Sequence, residues 1–181
     1  MRQTKKTPKA PSTQKEWFEL ALFYCSKRET SRSRLRSYFL RKLKAVQRSE
    51  EEVAQALEQI EKALDECERL KIIDDERYAG MLGREYARRG KGSRYIINQL
   101  YAKGLKEEIK NLTVNPDEEM ARAQALVEKS LKRALFQKIT DPRMLRLKLM
   151  QKLIAAGFDL SLAKNAIESM KVNRQNDTDS G

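Results

Sequence analysis

Residues 70–105 read LKIIDDERYAGMLGREYARRGKGSRYIINQLYAKGL. Asp74 stands where it can cap a helix on which Tyr78, Met81, Leu82 and Tyr86 recur at spacings of three and four, one face of a helical turn. That helix is predicted to stop in Arg88-Arg89-Gly90-Lys91-Gly92, where glycine permits the backbone angles of a tight exit. A second helix follows with Ile96, Ile97 and Leu100 inward and ends at Lys103-Gly104-Leu105. Around the turn, Arg84, Arg88, Arg89, Lys91 and Arg94 face a single acid, Glu85. The stretch therefore predicts an all-α chain and asks what so many cations do at one bend.

The same pattern extends upstream. Trp17, Leu20, Ala21 and Tyr24 start a helical stripe, and Thr30 or Ser31 can cap the next helix, striped by Leu35, Phe39 and Leu43. Arg34, Arg41 and Lys44 project from the other side of that helix. Ser49 with Glu52 three residues on makes a capping box for a helix carrying Val53, Leu57, Ile60, Leu64 and Cys67. Fewer than three heptads precede Lys71, so a packed helix is favoured over a coiled coil.

Downstream, a short helix fits 107–112, and Asn115-Pro116 is a start signal with Asn as cap and Pro at the first helical position. Ala123, Leu126, Val127, Leu131 and Leu135 stripe the helix that follows. Thr140-Asp141-Pro142 opens another, with Leu145, Leu149 and Leu153, and Asp159 can cap a last one with Leu162, Ala163, Ile167 and Met170. Leu100 to Leu105 aligns with Leu153 to Phe158 as Leu-x-x-x-Gly-apolar, and Phe39 to Leu43 fits the frame without its glycine. The chain is thus predicted to be three tandem three-helix repeats. They are expected over 15–72, 73–114 and 115–171, with a disordered basic tail over 1–14 and a frayed polar tail over 172–181. No single repeat buries much surface, so neighbours should pack on one another.

The formal net charge of +12 is concentrated rather than smeared. Nine basic residues between Lys27 and Arg48 meet only Glu29, and eight between Lys129 and Lys152 meet only Asp141. The stretch Glu50 to Glu76 reverses sign, with eleven acids against three bases. A solvated face is the plain reading of any one such cation. Three clusters with acids segregated between them favour a polyanionic partner. The chain holds no histidine and two cysteines, Cys25 and Cys67, without CxxC spacing. That removes the commonest general base and metal ligand, so no catalytic residue, metal or cofactor is expected. The cysteines are read as buried thiols in a reducing cytoplasm. No apolar run is long enough to span a bilayer, so no membrane association is expected. No unpaired apolar stripe demands a second copy, so a monomer is expected.

The central turn superficially resembles two known motifs. Gly83 to Gly92 has a Gly-Lys but not the P-loop spacing, and Gly92 stands where Ser or Thr should hold magnesium. A helix-turn-helix would read bases from its second helix, whose outward Tyr95, Asn98 and Ala102 are a poor set for that task. Cations crowding the turn suit phosphate contact better than base reading.

Residues 70–105 closely resemble the central signature of the RecX family of bacterial regulatory proteins. The matching elements are Asp74-Asp75-Glu76-Arg77-Tyr78-Ala79, Arg89-Gly90-Lys91-Gly92, and Ile96-x-x-x-Leu100-x-x-Lys103-Gly104-Leu105. Ser26 to Arg32 is similar to the family's first step, and Leu153-x-x-x-Gly157-Phe158 to its third. The resemblance implies three-helix repeats in an elongated, curved molecule. It further implies a negative regulator of the RecA recombinase that lodges in the groove of the RecA–DNA filament. There it would oppose extension and damp ATP hydrolysis, strand exchange and coprotease activity; some members also bind DNA directly. Leu43 in place of glycine, and the polar insertion from Lys44 to Ser49, depart from the family pattern in the first repeat. On this reading the filament- or DNA-facing residues are Arg32, Arg34, Arg36, Arg84, Arg88, Arg89, Lys91, Arg94, Lys132, Arg133, Arg143 and Lys148. The alternative from another class is a general nucleic-acid-binding helical repeat protein that needs no RecA.

Overall fold

The computed structural model describes residues 11–46, 48–112, 114–136 and 141–178, with side chains undescribed at 135–136 and 171–178. The expectations for the tail before Pro11, for Leu135 in its stripe and for Thr140 lie outside the described residues. Among the described residues eight α-helices follow one another: α1 Gln14–Cys25, α2 Arg32–Lys44, α3 Glu50–Arg69, α4 Asp75–Arg88, α5 Ser93–Ala102, α6 Pro116–Phe136, α7 Pro142–Ala155 and α8 Leu160–Thr178. A 3-10 turn over Glu108–Asn111 stands where the short helix was expected. No strand occurs among the described residues.

Caps fix most helix starts. Ser49 and Glu52 form the expected capping box, and Ser31, not Thr30, caps α2. Asp74 accepts from the Arg77 N–H at 3.0 Å, and Asn115 accepts from Asp117 and Glu118. Helix α1 begins earlier than its apolar stripe, because Thr13 and Glu16 make a second capping box. At the other end, α8 runs to Thr178, past Asn173 where fraying was expected. No glycine or proline interrupts it before that point, so nothing local stops the helix.

The chain folds as two compact units. The first is Met1–Tyr78 with Lys103–Leu105; the second is Ala79–Ala102 with Lys106–Gly181. In the first, α1 and α2 pack on α3 around Trp17, Phe39, Leu35, Ile60 and Leu64, all with no exposed surface. The Trp17 and Phe39 rings lie 5.1 Å apart in a tilted pair. In the second, α6, α7 and α8 enclose Val127, Leu153, Phe158, Ala163 and Ile167. Burying any of these large side chains contributes roughly 1.5–3 kcal/mol. One apolar expectation fails at the surface: Met81 of the α4 stripe is exposed. On α7 the expected Leu149 and Leu153 are buried, and the helix also carries Met144, Leu147 and Ile154 exposed.

The repeated Leu-x-x-x-Gly-apolar segment proves to be a joint. In the first unit, Gly104 (φ +79°) presses against the Cβ of Ser33, and the Ser31 hydroxyl donates to the Lys103 carbonyl. In the second, Gly157 (φ +90°) lies against the start of α5 at Tyr95. There the Gly92 N–H donates to the Ala156 carbonyl at 2.9 Å and the Arg94 N–H to the Gly157 carbonyl at 3.1 Å. Each glycine turn thus seats on the beginning of a second helix, Ser31–Ser33 in one case and Gly92–Tyr95 in the other. Leu43 makes no such turn; it is buried within α2.

Candidate polyanion interface

Two cations of the first basic cluster, Arg32 and Arg36, are answered from inside their own unit. Arg32 reaches three carboxylates of α3: Glu61 at 3.1 Å, Asp65 at 2.7 Å, and Glu68. Its backbone N–H donates to Asp75 at 2.9 Å. Burial works against the charged form, but the Asp65 and Glu68 contacts prevail and hold the guanidinium more firmly protonated than usual. Arg36 pairs with Glu61 at 2.5 Å. The acids of α3, read above as segregated from the cations, are therefore in part their internal partners. Arg34 is exposed and lies by the Tyr78 hydroxyl; burial nonetheless pushes that phenol up. Tyr78, on the expected apolar face of the helix that Asp74 caps, is itself buried.

The second cluster sits where α4 turns into α5. Arg89 pairs with Glu85 one helical turn back, and Arg94 reaches Asp159 at 3.8 Å. Lys91 lies over the Tyr95 ring at 4.6 Å, and that ring meets Tyr86 edge-on. Arg84 and Arg88 are exposed, and neither forms an ion pair among the described residues. The turn is held rigidly by its bonds to Ala156 and Gly157 and by Glu119. That carboxylate, buried at 6% exposure, accepts from the Ser93 N–H at 2.6 Å. Glu119 was not singled out from sequence; only the fold brings it to the α5 start, where a helix N-terminus favours an anion.

In the third cluster, Lys132 pairs with Glu128 at 2.7 Å and Arg146 with Glu168 at 3.2 Å. Arg133, Arg143 and Lys148 are exposed and make no ion pair among the described residues. Arg133 and Lys148 converge on one groove between α6 and α7, together with Lys152 and Ser130. Lys152 was not singled out from sequence, since its convergence depends on how the two helices pack. The exposed pairs Arg89–Glu85 and Lys132–Glu128 are held weakly enough for a phosphate to displace the carboxylate. Arg32, clasped by three acids, is not.

No cluster of His, Cys, Asp and Glu able to hold a metal occurs among the described residues. Both cysteines are free; Cys67 is buried and its thiol is pushed up to about 12 by desolvation, while Cys25 is only half-buried. No helix among the described residues is long and apolar enough to cross a membrane.

Comparison with known proteins agrees with the geometry. The model of RecX, second three-helix domain, matches residues 74–110, the span of α4, α5 and the 3-10 turn. Among solved structures the chain is similar to RecX from Lactobacillus salivarius, with a TM-score of 0.70 at 20% identity, covering 88% of this chain and 97% of that one. It is also similar to a regulatory protein RecX, with a TM-score of 0.63 at 23% identity, covering 86% of this chain and 71% of that one. No curated protein matches it in sequence. At these identities the solved structures speak for the shared fold. Residues 74–110 thus match the second three-helix domain of RecX, and the chain shares the fold of the solved RecX structures.

Proposed function

We propose that this protein is a RecX-type regulator that binds the RecA–DNA filament and restrains it, lowering filament extension, ATP hydrolysis, strand exchange and coprotease activity. The match of residues 74–110 to the RecX second three-helix domain carries this reading. The basic turn inside that same segment supports it, because Arg84 and Arg88 are left open on a rigid frame. Guanidinium groups so placed fit phosphate oxygens or an acidic protein surface by paired hydrogen bonds. The contacting residues are Arg34, Arg84, Arg88, Arg89, Lys91, Arg94, Lys132, Arg133, Arg143 and Lys148. Arg32 and Arg36 leave that set, since their charge is spent on α3. The regulator acts without chemistry of its own, as a protein of the cytoplasm working as a monomer.

The test is a titration of preformed RecA filaments on single-stranded DNA, reading DNA-dependent ATP hydrolysis. Inhibition at substoichiometric ratios is expected. The variant Arg88→Glu/Arg89→Glu/Lys91→Glu should require far more protein for the same effect. Unchanged hydrolysis at stoichiometric excess of the natural chain overturns the proposal.

A further inference from the structure

We infer that the groove between α6 and α7 is a seat for the backbone of a single nucleic-acid strand, with Arg133, Lys148 and Lys152 as its phosphate contacts. This deepens the reading of the basic clusters as polyanion-facing and rests on it. The three cations enter the groove from both walls, Arg133 from α6 and the two lysines from α7. No carboxylate lines the groove among the described residues. At Arg32, Arg89 and Lys132, by contrast, an acid supplies the partner.

The polar atoms are arranged rather than loose. The Ser130 hydroxyl is buried, donates to the Leu126 carbonyl at 2.7 Å and accepts from Lys152 Nζ at 3.1 Å. That bond tethers Lys152 at the groove edge. Lys148 and Lys152 lie one helical turn apart, about 6 Å along the axis, comparable to the step between neighbouring phosphates of an extended strand. The floor is apolar, formed by Ala134, Leu145 and Leu149, and suits sugar and base edges rather than water alone. Cations along a row over an apolar floor match the general pattern of strand-tracking grooves. An acidic protein segment would meet the same charges, but nothing fixes its carboxylates at that regular step.

The experiment is binding of a fluorescent oligothymidylate to the full chain, alone, across a salt series. For Arg133→Glu/Lys148→Glu, affinity should fall roughly tenfold or more and the salt slope should shrink by about 1.4, two phosphate contacts at about 0.7 each. A second variant keeps the charge: Ala155→Phe adds a ring to the groove from an exposed position, so the core is spared. It should weaken binding as well. The control Lys106→Glu/Lys164→Glu changes charge equally at exposed positions away from the groove and should cost clearly less. If the control matches the groove reversal and Ala155→Phe binds normally, only net charge is at work and the site is refuted. A natural chain without measurable affinity for the oligonucleotide refutes it too. If Arg133→Glu/Lys148→Glu keeps its DNA affinity but loses inhibition of RecA, the groove holds protein, and the inference fails while the RecA reading stands.

Discussion

At Gly157 the backbone is left-handed, and an added Cβ would overlap the Cβ and amide nitrogen of Tyr95. At Gly90 the backbone is left-handed too (φ +73°), but an added Cβ would meet nothing within 4 Å. The pair separates conformational strain from close packing. Gly90→Ala should cost about 1 kcal/mol, the strain of an L-residue in that region. Gly157→Ala should cost roughly 3 kcal/mol or more, since it also forces the turn off Gly92 and Arg94, whose N–H groups it satisfies. At Gly104 the obstacle is the Ser33 side chain. Gly104→Ala should therefore be partly rescued by Ser33→Gly, whereas no side-chain deletion relieves the Tyr95 amide. Denaturant melts of the four variants decide this; equal losses at Gly90 and Gly157 would refute the joint. The glycines were legible as a repeated motif, and so were the caps Asp74 and Ser49. What each glycine presses on was not, because that partner lies 62 residues away at Tyr95 and 71 away at Ser33.

Helix α3 places Glu61, Asp65 and Glu68 on one side at spacings of four and three, where like charges repel. Arg32 stands over all three, and Arg36 shares Glu61. Arg32→Ala removes the counter-charge and leaves that repulsion, so a loss of about 1–2 kcal/mol is expected, more than an isolated surface pair gives. Arg36→Ala should cost less than about 1 kcal/mol, because one acid is involved and both groups are well exposed. Thermal melts at low and raised salt check both; salt should narrow the difference. A neutral Arg32→Ala would mean the network is incidental. The sequence showed these charges as two blocks of opposite sign but not that the blocks face each other across α2 and α3. Periodicity assigns a residue to a face of its own helix. It says nothing of which neighbouring face it meets, which is why Arg32 and Arg36 read as outward-looking cations.

For the whole chain, the helix order and the threefold pattern were readable because apolar spacing and caps are local properties. The division into two compact units was not, since Lys103–Leu105 belongs with α1–α3 by contacts distant in sequence. Charge is likewise a property of the whole. The carboxylates of Asp74 and Asp159 are held below their ordinary range, the first chiefly by the Arg77 N–H and the second by the Ser161 hydroxyl and N–H. Glu58, Glu66, Glu107 and Glu128 are lowered by hydrogen bonds from Lys62, Arg69, Lys110 and Lys132. A lowered carboxylate binds fewer protons folded than unfolded, so its contribution is present above the unfolded value and lost as pH falls through the folded one. The thermal midpoint should thus be level from pH 7 to about 5 and fall steadily below that. Acid also raises a net charge that is already +12, and the added self-repulsion should make the fall steeper at low salt than at moderate salt. Asp74→Asn/Asp159→Asn keeps a cap acceptor but removes two of the titrations. Its midpoint should be slightly lower at pH 7 and its decline in acid shallower. A decline as steep as that of the natural chain would show that the helix caps have no part in the acid response, leaving it to the surface pairs and the repulsion among Lys and Arg.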